Sequence, residues 1–186
     1  MRKQETRVYR SFFDTPYGSG GVVASSEGLL EVFLPFDGDS PEEMAGRIAG
    51  AYPSAECGSP LTMKAAGLLA RYFAGERVAF DLPIDRRGFT PFQLAVYAEV
   101  SQIPYGVVKT YGEVAGAIGR QRAARGVGTA MAHNPLPIII PCHRVVGGSG
   151  AMTGYSGAGG VDSKRLLLAM EGVALDACGR VKQHSL

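Results

Sequence analysis

Three side chains able to do chemistry stand in a row at Cys142-His143-Arg144. A thiol attacks only as the thiolate, and a neighbouring imidazole or guanidinium favours that anion. The row therefore suits a cysteine nucleophile of lowered pKa with His143 as its base. A structural cysteine fits the same residues, because free Cys is among the most buried residue types. Metal binding fits poorly. A structural zinc site takes four ligands at set spacings, and Cys57, Cys142, Cys178, His133, His143 and His184 contain no Cys-x-x-Cys or His-x-x-x-His pair.

The thiol follows the run Leu136-Pro137-Ile138-Ile139-Ile140-Pro141, which reads as a buried strand stopped by proline at each end. Upstream, Thr110-Tyr111-Gly112-Glu113 is a capping box opening a short helix that stops at Gly119, and Arg122 to Ala132 reads as another helix. Two short helices about a tight Gly119-Arg120-Gln121 turn have helix-turn-helix spacing. An ordinary helical hairpin in a core has it too. The second of these helices is rich in small residues, including Ala124, Gly126 and Gly128, with Arg125 as the long exception. Small side chains would let its backbone lie close to a nucleic-acid groove. Thr90-Pro91-Phe92-Gln93 opens a further helix with Phe92, Val96, Val100 and Ile103 as its apolar stripe.

The first half reads as a sheet with helices attached. Val8 to Phe13, Val22-Val23 and Leu29 to Leu34 are strand-like, and Gly18-Ser19-Gly20-Gly21 reads as a turn between them. Ser40-Pro41-Glu42-Glu43 opens a helix to about Gly50, and a second helix spans Pro60 to Phe73. Val78, Phe80 and Leu82 alternate as a strand before Pro83. Composition shifts at Asp85 to Phe89, dividing the chain into residues 1–85 and 86–186.

With 186 residues, 46% hydrophobic and 19% charged, the chain can bury a core, which excludes a wholly disordered protein. It has no apolar run of about 18 residues, so no membrane span is expected. Met1 to Thr6 do not form an apolar signal core, and free thiols suit a reducing interior, so a cytoplasmic (in a eukaryote, nuclear) setting is expected. The net charge is +2, yet residues 101–150 carry five basic and one acidic side chain. Such a stretch points to an anionic partner such as DNA, or to a solvated basic face.

Thr90 to Gly172 resembles the C-terminal DNA-binding domain of the O6-alkylguanine-DNA alkyltransferases, the methylated-DNA–protein-cysteine methyltransferases. Pro141-Cys142-His143-Arg144-Val145 is similar to that family's active-site signature. Phe92-Gln93, Tyr105-Gly106, Thr110-Tyr111, Arg122-Ala123-Ala124-Arg125, Asn134-Pro135, Gly154-Tyr155-Ser156-Gly157 and Glu171-Gly172 follow the family's order. Asp14-Thr15-Pro16-Tyr17-Gly18 with the strands after it resembles the family's N-terminal domain in layout alone. The resemblance implies an α+β fold: a small ribonuclease-H-like N-terminal sheet-plus-helix domain, then a mostly helical, winged-helix-like DNA-binding domain with a helix-turn-helix.

It also implies roles. Cys142 would take the alkyl group from guanine O6, His143 would act as base through a water, and Glu171 would orient that His; from pattern alone Glu171 reads as a solvent-facing residue. Tyr111 would crowd the rotated nucleotide's phosphate and donate a proton, and Asn134 would tie the recognition helix to the active-site strand. Arg125 would fill the vacancy left by an extruded base, with Ala124, Thr129 and Tyr111 also at the DNA. Val145, Tyr155, Ser156 and Lys164 would line the pocket; as bare pattern Lys164 is a solvated helix-start lysine. The implied partner is double-stranded DNA carrying alkylated bases, O4-alkylthymine among the lesions considered, with no membrane and a monomeric protein. No cofactor is implied, since the thiolate accepts and the lesion donates. A thioether is far harder to undo than a disulfide, so the protein would act once. The link from Gly157 to Ser163 is about two residues longer than the family's, and Gly112 stands where a longer residue is common. A lesion-binding helix-turn-helix protein without chemistry and a cysteine hydrolase are the competing readings.

Overall fold

The computed structural model describes residues 7–152 and 159–182. The chain divides after Arg87 into two compact units, in a mixed α+β fold.

The first unit is built on a four-stranded sheet of order β3-β2-β1-β4, comprising β1 (Val8–Thr15), β2 (Gly18–Ser25), β3 (Leu29–Phe33) and β4 (Glu56–Cys57). β1 and β2 pair antiparallel from Val8↔Ser25 to Thr15↔Gly18, so the turn is Pro16-Tyr17. Gly18 to Gly21 is therefore strand, not the turn expected from its composition. The glycines are there for space. A Cβ on Gly20 would lie 2.3 Å from the Phe13 ring, and one on Gly21 would lie 2.3 Å from Ile48 Cδ1. Helix α1 (Pro41–Ala51) packs Met44 and Ile48 on Val23. Helix α2 (Pro60–Phe73) brings Phe73 to within 6.1 Å of Phe13 between ring centroids. Both helices open with the N-cap serine and proline at the first position that their sequences show.

Residues 76–83 do not form the expected strand. They run as irregular chain into one bridge between Leu29 and Ile84, where Leu29 N–H donates to Pro83 O (2.8 Å) and Asp85 N–H to Leu29 O (2.9 Å). Alternation of Val78, Phe80 and Leu82 instead anchors single side chains, as in the 6.2 Å pairing of Phe80 with Tyr72. Asp85 is buried where the unit ends, accepting from Ser25 Oγ (2.6 Å) and held by Arg87, which keeps its carboxyl well below the usual carboxylate range.

The second unit contains α3 (Pro91–Val100), α4 (Tyr111–Ala117), α5 (Ala124–Ala132) and α6 (Gly160–Met170), with a two-stranded parallel pair, β5 (Lys109–Thr110) and β6 (Val145–Val146). Val96 and Val100 of α3 are fully buried, and Tyr97 Oη donates to Ala130 O at 3.0 Å, fastening α3 to α5. Capping boxes at Thr90/Gln93 and Thr110/Glu113 set the starts of α3 and α4. The link from α4 to α5 passes through Gly119 in the left-handed region (φ +70°) and is longer than the tight turn expected, because the second helix starts at Ala124, not Arg122.

The isoleucine run is buried as expected but is not a strand. Ile140 N–H donates back to Leu136 O (2.8 Å), closing a turn with Ile138 at φ +73°. Prolines at 137 and 141 remove two ladder donors, and a β-branched residue in the left-handed region costs on the order of 1–3 kcal/mol, so the surroundings must hold it. Asn134 does so: its Nδ2 donates to Ile140 O (2.8 Å) and its Oδ1 accepts from Leu136 N–H (3.0 Å).

Candidate active site

Directly after that turn, Cys142 to Arg144 form a single 3-10 turn and enter β6. Pairing of Lys109 with Val145 and Thr110 with Val146 sets the start of α4 beside it, so Tyr111, the first residue of α4, stands on the same side of the unit as the thiol-bearing turn. Beneath β6, α6 packs Leu168 in one cluster with Val108, Val146 and Val173. That packing brings Lys164, one turn into α6, and Glu171, just past its end, to the turn.

Cys142, His143, Arg144, Lys164 and Glu171 are all buried, the His and the Lys with no exposed surface. His143 Nε2 lies 2.8 Å from Glu171 Oε1. Arg144 grips the same carboxylate with Nε on Oε2 and Nη2 on Oε1, each 2.9 Å, and its Nη1 donates to Ile103 O at 2.6 Å. Gly106 N–H adds a further donor to Glu171 Oε2 at 3.1 Å. Lys164 Nζ donates to Val145 O at 2.5 Å and lies 5.9 Å from the Tyr111 ring centroid.

Burial works to raise Glu171, but hydrogen bonds from His143 and Arg144 overcome it and hold the carboxyl well below the usual carboxylate range. Burial pushes His143 down against the pull of Glu171, so the ring is neutral at neutral pH. An ionised carboxylate only accepts. His143 therefore carries its proton on Nε2, donates it to Glu171, and presents the Nδ1 lone pair as the basic site. Burial pushes the Cys142 thiol up, opposed by the Asn134 amide and the Lys164 charge. The same desolvation brings Lys164 down to about 8 and lifts Tyr111 to about 12. The arrangement can keep a thiol protonated at rest and deprotonate it on demand.

Known proteins resemble this chain. The family model for the DNA-binding domain of 6-O-methylguanine DNA methyltransferase matches residues 91–173. A methylated-DNA–protein-cysteine methyltransferase of Methanosarcina acetivorans is 38% identical over 166 residues, covering 89% of this chain and 99% of that protein. The chain belongs to the methylated-DNA–protein-cysteine methyltransferase family. A member from Mycolicibacterium paratuberculosis is 52% identical over 103 residues, covering 55% of this chain and 61% of that relative's length. The crystal structure of Mycobacterium tuberculosis OGT in complex with DNA is 37% identical, with a TM-score of 0.70 and coverage of 88% of this chain and 92% of that one.

In this methyltransferase family member, the structure gathers Cys142, His143, Glu171, Tyr111, Asn134, Val145 and Lys164 around one turn. Two readings from bare pattern are overturned. Glu171 is buried, not solvent-facing, because the carboxylate is the acceptor for three separate groups. Lys164 is buried, not a solvated helix-start lysine, because α6 begins at Gly160 and turns that position onto Val145. The thiol also departs from expectation: its pKa is raised, since Arg144 is spent on Glu171 and burial dominates. Arg125 and Thr129 lie exposed on α5, with Thr129 Oγ1 donating to Arg125 O at 3.1 Å, and Ala124 is half-buried at its start. Tyr155 and Ser156 lie outside the described residues. Among the described residues no group of three or more His, Cys, Asp or Glu is placed to hold a metal, and no helix is long and apolar enough to cross a membrane.

Arg144 was expected beside the thiol, not on Glu171, and Gly106 was not expected to touch the site. Gly106 follows Tyr105, whose Oη donates to Met170 O at 2.8 Å. Gly106 sits at φ +78°, where a Cβ would come 2.8 Å from Glu171 O. A glycine after a helix-ending Ile-Pro-Tyr is a legible turn signal, but its partner 65 residues away is not.

Proposed function

We propose that the chain repairs DNA by moving the alkyl group of O6-alkylguanine irreversibly onto its own Cys142. The observation that carries this is the buried Cys142 beside a His143 whose Nε2 is held 2.8 Å from Glu171 Oε1, in a chain of this family. The thiol proton passes to His143 Nδ1 through a water, the sulfur attacks the alkyl carbon in line with O6, and the S–C bond forms as the C–O6 bond breaks. Guanine O6 keeps the electron pair. Tyr111, with its hydroxyl pushed up to about 12 and so protonated, donates toward the guanine ring as O6 is released. Glu171 stabilises the imidazolium that forms, in the manner of a nucleophile–base–orienter relay. The thioether has no exit, so each molecule reacts once.

The target atom lies within the duplex stack, so the nucleotide must be extruded. Arg125 projects from α5, exposed, and is assigned the vacancy in the stack; Ala124 and Thr129 share the DNA-facing side. The α4–α5 pair serves as the helix-turn-helix of a winged-helix-like domain over residues 86–186, with residues 1–85 a ribonuclease-H-like support. A related structure with DNA bound supports duplex DNA as the partner. Lys164 takes one lone pair of the Val145 carbonyl, leaving the second to accept from the guanine exocyclic amine. The protein works as a cytoplasmic monomer without a cofactor.

Intact mass after mixing with an O6-methylguanine duplex tests the assignment. One methyl gained per protein, absent in Cys142→Ala, is the expected result. Many lesions removed per protein, or lesion binding with no mass change, would sink it.

A further inference from the structure

Glu171 orients His143, yet a guanidinium that takes no part in that relay is buried on the same carboxylate. A carboxylate–imidazole pair sealed from water is neutral overall in two ways: both groups neutral, or both charged. Either costs the imidazole its use as a base, the first by protonating Glu171, the second by protonating His143. Arg144 changes that balance. Its guanidinium binds both oxygens of Glu171 at 2.9 Å, side on, while Nη1 is fastened to Ile103 O and the plane lies 5.8 Å from the Tyr105 ring centroid. The carboxylate is thus neutralised by a group that cannot give up its proton.

We propose that Arg144 is a positioning residue that balances the charge of Glu171 and so keeps His143 a neutral, correctly oriented base for Cys142. The inference rests on the assignment of Cys142 and His143 as nucleophile and base. Three independent pieces of geometry support it. The fork is bidentate, which fixes the carboxylate plane as well as its charge. Gly106 N–H occupies Oε2 together with Arg144 Nε, while Oε1 takes Arg144 Nη2 and His143 Nε2. Gly106 sits at φ +78°, where an added Cβ would come 2.8 Å from Glu171 O, and Tyr105 Oη pins the preceding carbonyl of Met170. The groups bearing on the ring are then Glu171 and Lys164 from α6 and its end, and Cys142 and Arg144 on its own turn, with the Tyr105 and Tyr111 rings against the two cations. Of these, Arg144 and Lys164 both disfavour the imidazolium, and Glu171 alone favours it.

The test is the protonation midpoint of His143, followed by ring-nitrogen NMR in the full chain, together with the pH dependence of methyl transfer from an O6-methylguanine duplex. In Arg144→Gln, whose amide nitrogen stands where Arg144 Nε stands and so can keep a bond to Glu171 Oε2 but carries no charge, the midpoint is expected to rise by about one pH unit. The acid limb of the transfer rate is expected to move up by the same one unit, with a fall at neutral pH of no more than about threefold that recovers on the alkaline side. Arg144→Lys keeps a cation on Glu171 without the fork; a smaller rise in the same direction is expected. A midpoint unmoved in Arg144→Gln overturns the proposal whatever happens to its melting temperature. If that variant does not fold, an unmoved midpoint in Arg144→Met, which also removes the charge, overturns it equally. The ring titration needs no DNA. A shifted midpoint in a protein that never gains a methyl would refute the proposed reaction and leave the role of Arg144 intact.

Discussion

Lys164 Nζ lies 2.5 Å from the carbonyl oxygen of Val145, with the whole lysine side chain buried beneath the reactive turn. Its fall from the usual 10.5 to about 8 corresponds to a folding cost on the order of 3 kcal/mol at neutral pH, where the amine must be protonated out of water. The hydrogen bond it makes returns about 1–2 kcal/mol. Lys164→Met is therefore expected to be about 1–2 kcal/mol more stable than the parent at neutral pH. Between about 8 and 10.5 the unfolded chain holds a proton that the folded one has released, so the parent gains stability as pH rises through that window and the variant does not. Thermal melts of both proteins across that range check it; a variant less stable at neutral pH would refute the account. Methyl transfer is expected to slow in the variant, because the thiolate loses the Lys164 charge that favours it.

Thiol labelling should sort the three cysteines. Cys57 and Cys178 are exposed and Cys142 is buried with its thiol pushed up. At neutral pH Cys142 is expected to react with iodoacetamide at least about tenfold more slowly than the other two, and the gap is expected to narrow as pH rises through the thiol range. Peptide mapping after brief labelling reads this out. Rapid labelling of Cys142 in the folded protein would contradict a thiol that is protonated at rest.

Asn134 holds the turn that carries Ile138 in the left-handed region, through one bond given and one accepted. Asn134→Ala loses both and is expected to cost roughly 1–3 kcal/mol. Transfer should fall further than stability alone explains, since the same turn delivers Cys142. Denaturant titration alongside single-turnover rates separates the two effects.

Arg125 is exposed and makes no contribution to the core. Arg125→Ala should change stability by less than about 0.5 kcal/mol. Repair of a duplex lesion is expected to drop sharply while reaction with the free base O6-benzylguanine is little affected. Equal losses on the two substrates would remove Arg125 from the extrusion step.

Local signals in the chain decided most of the secondary structure. The capping boxes at Ser40, Thr90 and Thr110 set helix starts by bonds within one turn, and these are readable wherever the residues are known. The Cys142-His143-Arg144 row, and its kinship with a family, were likewise present in one dimension. Where long-range contacts compete with local preference, the tertiary structure decided. Gly18 to Gly21 are strand because Phe13 and Ile48 need the room, and the isoleucine run is a turn because prolines deny it a ladder and Asn134 supplies the missing bonds. The charge states are the deepest case. Cys142, Lys164, Arg144 and Glu171 take their roles from desolvation and from partners up to 65 residues away, and neither quantity exists until the chain has folded.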